Sequence, residues 1–355
     1  MTVFWSIIAA IFIFGFLILV HEAGHYFVAR RCGVAIEEFS IGMGPKIISR
    51  TSKKNGTVFS LRALPIGGYV AMVGETEESD EEGALSSKPV WQRFLVFAAG
   101  ATVNLLVGFL IVIVIVCISA SQGVLASNTI AGFQEGATSS AQGGLMVGDE
   151  VIKVGGVSVH TGEELTYEIT NQGDEPIDLT VIRDGEKIVL QEVCFPTFEE
   201  SGVTFGNYDF YVLADKNPGF FKLLQISFYR SCSLVKMVWD SLLGLITGRF
   251  GVQTLSGPVG ITAAVAETIE SSGWSAMQIL NYALYITAVI AINLGVFNLI
   301  PFPALDGGRL FFLLIEAVRR KKINPDIEAK INFVGIALLM TLMLFVVCKD
   351  IIGLF

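Results

Sequence analysis

From Phe4 to Val20 the chain carries no charged residue, and His21-Glu22-Ala23-Gly24-His25 follows directly. An apolar run of that length reads as a helix crossing a bilayer, whose hydrocarbon core needs about 20 residues. Residues four apart share a helical face, so His21 and His25 can offer two imidazole nitrogens to one metal ion. Glu22 projects beside them, placed to take a proton from water on that metal; His-Glu-x-x-His on a helix is a zinc-binding pattern with the glutamate as base. No Pro interrupts residues 21–31, so the helix should run on to about Arg31. The histidines then sit at the inner end of the span. A polar cluster at membrane depth is costly and marks a functional site. A cleaved signal peptide is the competing reading, but no basic stretch precedes the apolar run and the metal motif stands where a cleavage site would.

The rest of the chain agrees with a membrane setting. Of 355 residues, 52% are hydrophobic and only 16% charged, with a mean hydropathy of +0.63. Soluble domains carry about 25% charged residues. Four segments, 3–20, 94–120, 282–300 and 331–348, are apolar enough to span. The net charge of −9 and the absence of a basic block give no footing for nucleic acid. Lys and Arg set the expected orientation: none precedes Val20, nine fall in 30–93, and six in 301–330, including Arg319-Arg320-Lys321-Lys322. Both basic segments belong inside, which puts the N-terminus, the stretch 121–281 and the C-terminus outside. The five cysteines form no C-x-x-C; only Cys194 and Cys232 could share an oxidising compartment, and nothing says that they pair.

Residues 38–73 read as hairpin strands at the membrane surface. A Gly42-Met43-Gly44-Pro45 turn region is followed by a partly alternating 57–65, and Gly67-Gly68 leads into Tyr69-Val70-Ala71-Met72-Val73. Such a hairpin either packs as an ordinary element or leaves an edge for an extended peptide. Six acids in the eight residues 75–82 read as a solvated loop. At the second span, Gly100 and the small residues after it permit close helix approach, and Asn104 needs a polar partner inside the span. Residues 127–196 read as a small β-rich domain: a strand at 150–154, a helix over 161–170, and strands 177–183 and 187–193 around the Asp184-Gly185 turn. Residues 219–247 are apolar but contain Lys222, Arg230, Lys236 and Asp240, which suits a helix lying on the outer surface rather than a fifth span.

Catalytic zinc takes three protein ligands and keeps one position open. The chain has three histidines, and His160 falls in the outer domain, so the third ligand is a carboxylate or a cysteine near the inner end of a span. Asp306 stands in an apolar, proline-broken stretch, Asn298-Leu299-Ile300-Pro301-Phe302-Pro303-Ala304-Leu305-Asp306-Gly307-Gly308. Non-helical backbone at that depth is tolerated only where protein or water satisfies it. The bland alternative is a helix N-cap.

Taken together, His21-Glu22-x-x-His25, Gly100-x-x-x-Asn104 and Asn298-x-x-Pro301-x-x-x-x-Asp306-Gly307 resemble the site-2 protease family of intramembrane zinc proteases. A single outer PDZ-like domain between the second and third spans is similar to the bacterial RseP type. The resemblance extends over nearly the whole chain, including Gly67-Gly68-Tyr69-Val70 and Leu255-Ser256-Gly257-Pro258; Met43 and Ala101 stand where that family often has Phe and Pro. It implies an α-helical polytopic membrane protein of four transmembrane helices with an inserted extracytoplasmic β-rich PDZ-like domain, divided at 1–31, 32–93, 94–120, 121–200, 201–281, 282–330 and 331–355. It further implies that His21, His25 and Asp306 bind Zn2+ and that Glu22 is the general base and acid. Asn298, Asn104, Gly67, Gly68 and Tyr69 would contact substrate, a single-span membrane protein such as an anti-sigma factor or a remnant signal peptide. The location implied is the bacterial cytoplasmic membrane, with the lipid bilayer as partner and the site near the cytoplasmic face. Oligomeric state is left open. Two other classes fit parts of the pattern: a membrane scaffold with an inert metal motif, and a metal transporter, which would want polar residues spread along several spans.

Overall fold

The first helix, α1 (Thr2–Arg31), has no proline or internal charge pair to stop it until Gly33 takes a left-handed φ of 69° and turns the chain. Strands β1 (Ile36–Thr51) and β2 (Val58–Met72) follow, then α2 (Val90–Ser121). The β-rich stretch comprises β3 (Ala126–Phe133), β4 (Glu150–Val154), β5 (Val157–Ser158), α3 (Gly162–Gln172), β6 (Ile177–Arg183), β7 (Glu186–Val193), β8 (Thr197–Glu200), β9 (Val203–Gly206) and β10 (Phe210–Ala214). Helices α4 (Phe220–Thr247), α5 (Pro258–Ser272), α6 (Ala276–Leu299), α7 (Asp306–Arg319) and α8 (Pro325–Gly353) complete the chain. These ranges come from a computed structural model that describes residues 2–75, 79, 81, 83–200, 202–216, 218–251, 254–255 and 257–353. Two compact units result, Met1–Gly108 with Leu255–Phe355, and Phe109–Thr254. Helix α2 passes from the first into the second.

Among the described residues, four helical stretches are long and apolar enough to cross a membrane: Ile8–Arg31, Val90–Ser121, Ala276–Leu299 and Asp326–Ile352. The helices carrying the second and third begin earlier than hydropathy alone places the spans, at Val90 and Ala276. The latter start is set by a capping box, in which Ser275 and Gln278 bond each other's backbone N–H.

In the first unit β1 and β2 pair antiparallel, and each is bent. Phe39 faces both Val70 and Phe59, and Ser40 faces both Tyr69 and Ser60, so the first half of β1 lies between two halves of β2. Gly68–Met72 therefore pairs on one side only among the described residues, and its other edge is open. Tyr26 of α1 packs its ring on Phe39 and Phe59, with centroids 5.4 and 5.8 Å away. A core of Ala29, Ile36, Phe39, Val70, Met72, Val96, Phe97, Leu310 and Leu313 locks the sheet to α1, α2 and α7. Of the acidic run 75–82, residues 76–78, 80 and 82 lie outside the described residues, as does Ser256 of the 255–258 motif. Glu75 is described, and it is no solvated acid: it pairs with Arg309.

In the second unit the sheet order is β10-β3-β4-β6-β7, with β5 on β4, all antiparallel. Its inward side chains, among them Ile130, Val151, Leu179, Val181 and Phe210, close a core with Leu165 and Ile169 of α3. Asp184 and Gly185 both take positive φ, 52° and 84°, the type I′ geometry that matches the strand twist. Thr161 caps α3 by accepting from the Glu164 N–H. The stretch expected as one surface segment, 201–281, is divided: β10 joins the sheet, α4 packs on α3, and α5 belongs to the first unit against α1 and α8. On α4, Phe221, Phe228, Trp239 and Ile246 form one exposed apolar face. Cys194 and Cys232 are both free thiols.

Candidate metal centre

Helix α1 carries His21 and His25 on one face, and α2 crosses it at the closest approach its residues allow. A Cβ on Gly24 would stand 2.8 Å from the Ala99 carbonyl oxygen, and one on Gly100 would stand 2.4 Å from His25 Nε2. Both positions therefore need glycine. The third contributor arrives from α7. Gly307 and Gly308 let the start of that helix lie against the preceding loop, since added Cβ atoms would meet the carbonyl oxygens of Ile300 and Phe302 at 2.1 and 2.4 Å. Asp306 is the first residue of α7, and the cap position belongs to Leu305. The N-cap reading of Asp306 thus fails: its carboxylate reaches across to the histidines.

The three ligand candidates converge. His21 Nε2 lies 3.1 Å and His25 Nε2 3.2 Å from Asp306 Oδ2, and the two nitrogens are 3.2 Å apart. Asp306 Oδ2 is buried yet accepts no well-directed hydrogen bond. Three acceptor-bearing atoms aimed at one point repel unless a cation sits among them. A tetrahedral zinc with ligands at about 2.0–2.1 Å separates them by about 3.3 Å, which matches this triangle. The residues present fit a zinc ion.

The surrounding groups orient the imidazoles. His25 Nδ1 lies 2.8 Å from the Val96 carbonyl oxygen, which requires Nδ1–H and leaves Nε2 a free lone pair. The Asn104 amide lies 3.4 Å from His21 Nδ1, and Asn104 is fully buried with its Oδ1 unpaired. Amide oxygen and nitrogen exchange by a half-turn without change of shape; with Oδ1 toward His21 the amide accepts Nδ1–H, the arrangement seen at His25. Asn104 therefore reaches His21, and it does not line the cavity described next.

Glu22 shares with His21, His25 and Asp306 a cavity of about 190 Å³, also lined by Tyr69, Val70, Met72, Glu75 and Arg309. The open edge Gly68–Met72 borders it, and a Cβ on Gly68 would lie 3.4 Å from Glu22 Cγ. Of the other expected substrate contacts, Tyr69 lines the cavity, whereas Gly67 and Asn298 do not. Asn298 is the penultimate residue of α6, immediately before the loop to Asp306. Sequence reasoning overlooked Ala304, Glu75 and Arg309. Arg309 had a legible signal, a base one turn after Asp306 at the start of a largely apolar helix. Glu75 was hidden in an acidic run.

The profile of peptidase family M50 matches residues 9–342. A Clostridium perfringens protein bearing a zinc metalloprotease name is 38% identical over 98% of each chain. The regulator of sigma-W protease RasP of Bacillus subtilis is 31% identical over 99% of each, and the zinc metalloprotease RasP of Bacillus licheniformis is 30% identical over 99% of each. The chain belongs to peptidase family M50 and is a zinc metalloprotease of the site-2 protease type.

Proposed function

We propose that the chain hydrolyses a peptide bond within or beside the membrane helix of single-span proteins, with His21, His25 and Asp306 holding zinc and Glu22 moving the proton. The observation that carries this reading is the triangle of His21 Nε2, His25 Nε2 and Asp306 Oδ2, 3.1–3.2 Å on each side, whose oxygen has no hydrogen bond of its own. When bound there, zinc lowers the pKa of water toward ~7 and polarises the scissile carbonyl. The residues do the rest. Glu22 accepts the proton of the attacking water and returns it to the leaving nitrogen. Asn104 and the Val96 carbonyl hold the two imidazoles with Nε2 inward. A substrate helix hides its amides in its own hydrogen bonds, so it must unwind before attack. Pairing with the open Gly68–Met72 edge replaces those bonds and lays the extended segment past Glu22. Helix-breaking residues at the cut are therefore favoured. Asn298 remains a candidate for contact with the substrate backbone beyond the cavity.

The same reading assigns the β-rich unit a PDZ-like role, excluding substrates whose outer part is still large. It orients both termini and that unit outside, with the site near the cytoplasmic face, in a bacterial plasma membrane. The Bacillus subtilis relative is named for regulation of sigma-W, which supports membrane-anchored regulators of transcription as a substrate class.

Cleavage of a single-span substrate by the purified chain in detergent tests this, with zinc quantified in parallel. Glu22→Gln should keep zinc and lose about 10²–10⁴-fold in rate, whereas Asp306→Asn should lose both. A zinc-free wild type that cuts nothing would instead favour the scaffold reading.

A further inference from the structure

The mechanism above leaves one half-buried ion pair in the cavity without a task. Arg309 stands one turn after Asp306 on α7 and pairs with Glu75, 234 positions earlier in the chain. Its guanidinium also lies over the Phe97 ring, 5.1 Å from the centroid. Glu75 follows the end of β2, and its Oε2 accepts from the Met72 N–H at 3.3 Å. The pair therefore ties the end of the open strand edge to the first turn of the helix that carries Asp306. Both side chains line the cavity of the metal triangle, and both also line a second cavity of about 170 Å³.

Charge gives the pair a second consequence. The metal cavity is lined by three carboxylates, Glu22, Glu75 and Asp306, and by one permanent cation, Arg309. With neutral imidazoles, a bound dication brings that set to neutrality. Glu75 alone would add a competing negative charge near the metal, and Arg309 alone would add a positive one. Neither suits a site whose metal must hold firmly and still polarise a carbonyl.

Resting on the zinc site proposed above, we infer that Arg309 and Glu75 are positioning residues for proteolysis: the pair holds the substrate-pairing edge in register with Asp306 and sets the charge that the metal meets. The two halves act on zinc in opposite directions. Glu75→Gln strands the guanidinium beside a dication, and zinc retention in chelator competition should fall about 10–100-fold, the range for groups just outside a ligand set. Arg309→Gln removes the repelling charge, and zinc should be held at least as tightly as in wild type, while KM rises because the edge has lost its anchor. The double variant Glu75→Gln/Arg309→Gln should recover zinc retention relative to Glu75→Gln and keep the raised KM. Arg309→Lys keeps the charge without the planar guanidinium that lies over Phe97, so its zinc retention should match wild type and its KM should fall between wild type and Arg309→Gln.

A pair that merely supports the fold would lower zinc retention in both single variants, and that result overturns the inference. Unchanged zinc and unchanged KM in both single variants overturn it equally. If Glu22→Gln and Asp306→Asn behave as expected while the pair variants do not, the inference fails and the zinc site stands. A wild-type protein that holds no zinc overturns both.

Discussion

In the unit of membrane helices, three ligand atoms converge on one point, whereas in the β-rich unit each charged side chain at the α3–α4 contact meets a partner of opposite sign or a hydroxyl. Lys236 reaches Glu168 at 2.6 Å and Asp240 at 2.9 Å, Tyr167 donates to Asp240 at 2.8 Å, Ser233 donates to Glu164 at 2.9 Å, and Arg230 pairs with Glu163. Deeper in that unit, Arg183 grips the fully buried Asp149 with two hydrogen bonds of 2.7 and 2.8 Å. These arrangements set each charge against an opposite charge or a hydroxyl, although Glu163 Oε2 and Arg230 Nη1 are buried without a hydrogen bond. The His21, His25 and Asp306 cluster is open: its atoms satisfy one another poorly, and a cation would complete it. Matched charge holds a fold together, and convergent acceptors announce a ligand.

The largest effect should follow from breaking the open cluster. In Asp306→Asn zinc should vanish and cleavage fall to background, yet the metal-free protein should melt no lower than metal-free wild type, because a crowded carboxylate has gone. Thermal unfolding of both proteins after chelation checks this, and a strong loss of stability would make Asp306 a structural acid like Asp149. The counterpart in the β-rich unit is Arg183→Met, which strands a buried carboxylate. A cost of about 3–5 kcal/mol is expected, read by limited proteolysis of that unit in the full chain, with zinc content unchanged. Loss of zinc there would blur the distinction between the two regions.

Next in size comes Gly100→Ala. Its Cβ would stand 2.4 Å from His25 Nε2 and 2.7 Å from His21 Nε2, and overpacking of this kind costs about 1–3 kcal/mol. The strain falls on the ligands, so zinc retention should drop more than the melting temperature does; the reverse order would place it in ordinary packing. Tyr167→Phe should be smaller, about 0.5–1.5 kcal/mol, with neither zinc content nor cleavage altered.

The last prediction concerns pH. Burial alone would raise the Glu38 carboxyl, but Ser60, Lys46, Arg62 and Tyr69 around it pull it down to about 2 from the ordinary 4.5. A lowered acid stabilises the fold above its ordinary pKa and loses that contribution as pH falls. The bent hairpin should hold above pH 4.5 and loosen as pH drops toward 2, and Glu38→Gln should remove that dependence. Protease sensitivity of 36–72 across the range measures it; an unchanged acid profile in the variant would exclude Glu38 as the cause.

Much of this was legible without coordinates because it depends on local periodicity. The four-residue spacing of His21 and His25, the apolar lengths of four helices, the Asp184-Gly185 turn and the Thr161 cap each follow from the nearest few residues. Asp306 was reached by counting histidines and by its apolar, proline-broken surroundings. The doubled pairing of β1 with β2 was not legible, since a bend that lets Phe39 face two partners leaves the alternation pattern unchanged. The Val96 carbonyl that orients His25 is backbone, which any residue supplies.

By itself, then, the sequence determined a chain of apolar helices carrying a metal motif, with a small β-rich insertion whose strands and turns are locally encoded. Only the tertiary structure decided which atoms meet there. It turned Asn104 onto His21, drew Asp306 onto both imidazoles, and took Glu75 out of an acidic run to pair with Arg309. The physical reason is distance along the chain: these contacts join residues 83 to 285 positions apart. Their geometry is set by helix packing at Gly24, Gly100, Gly307 and Gly308, where the missing side chain fixes how closely two backbones approach.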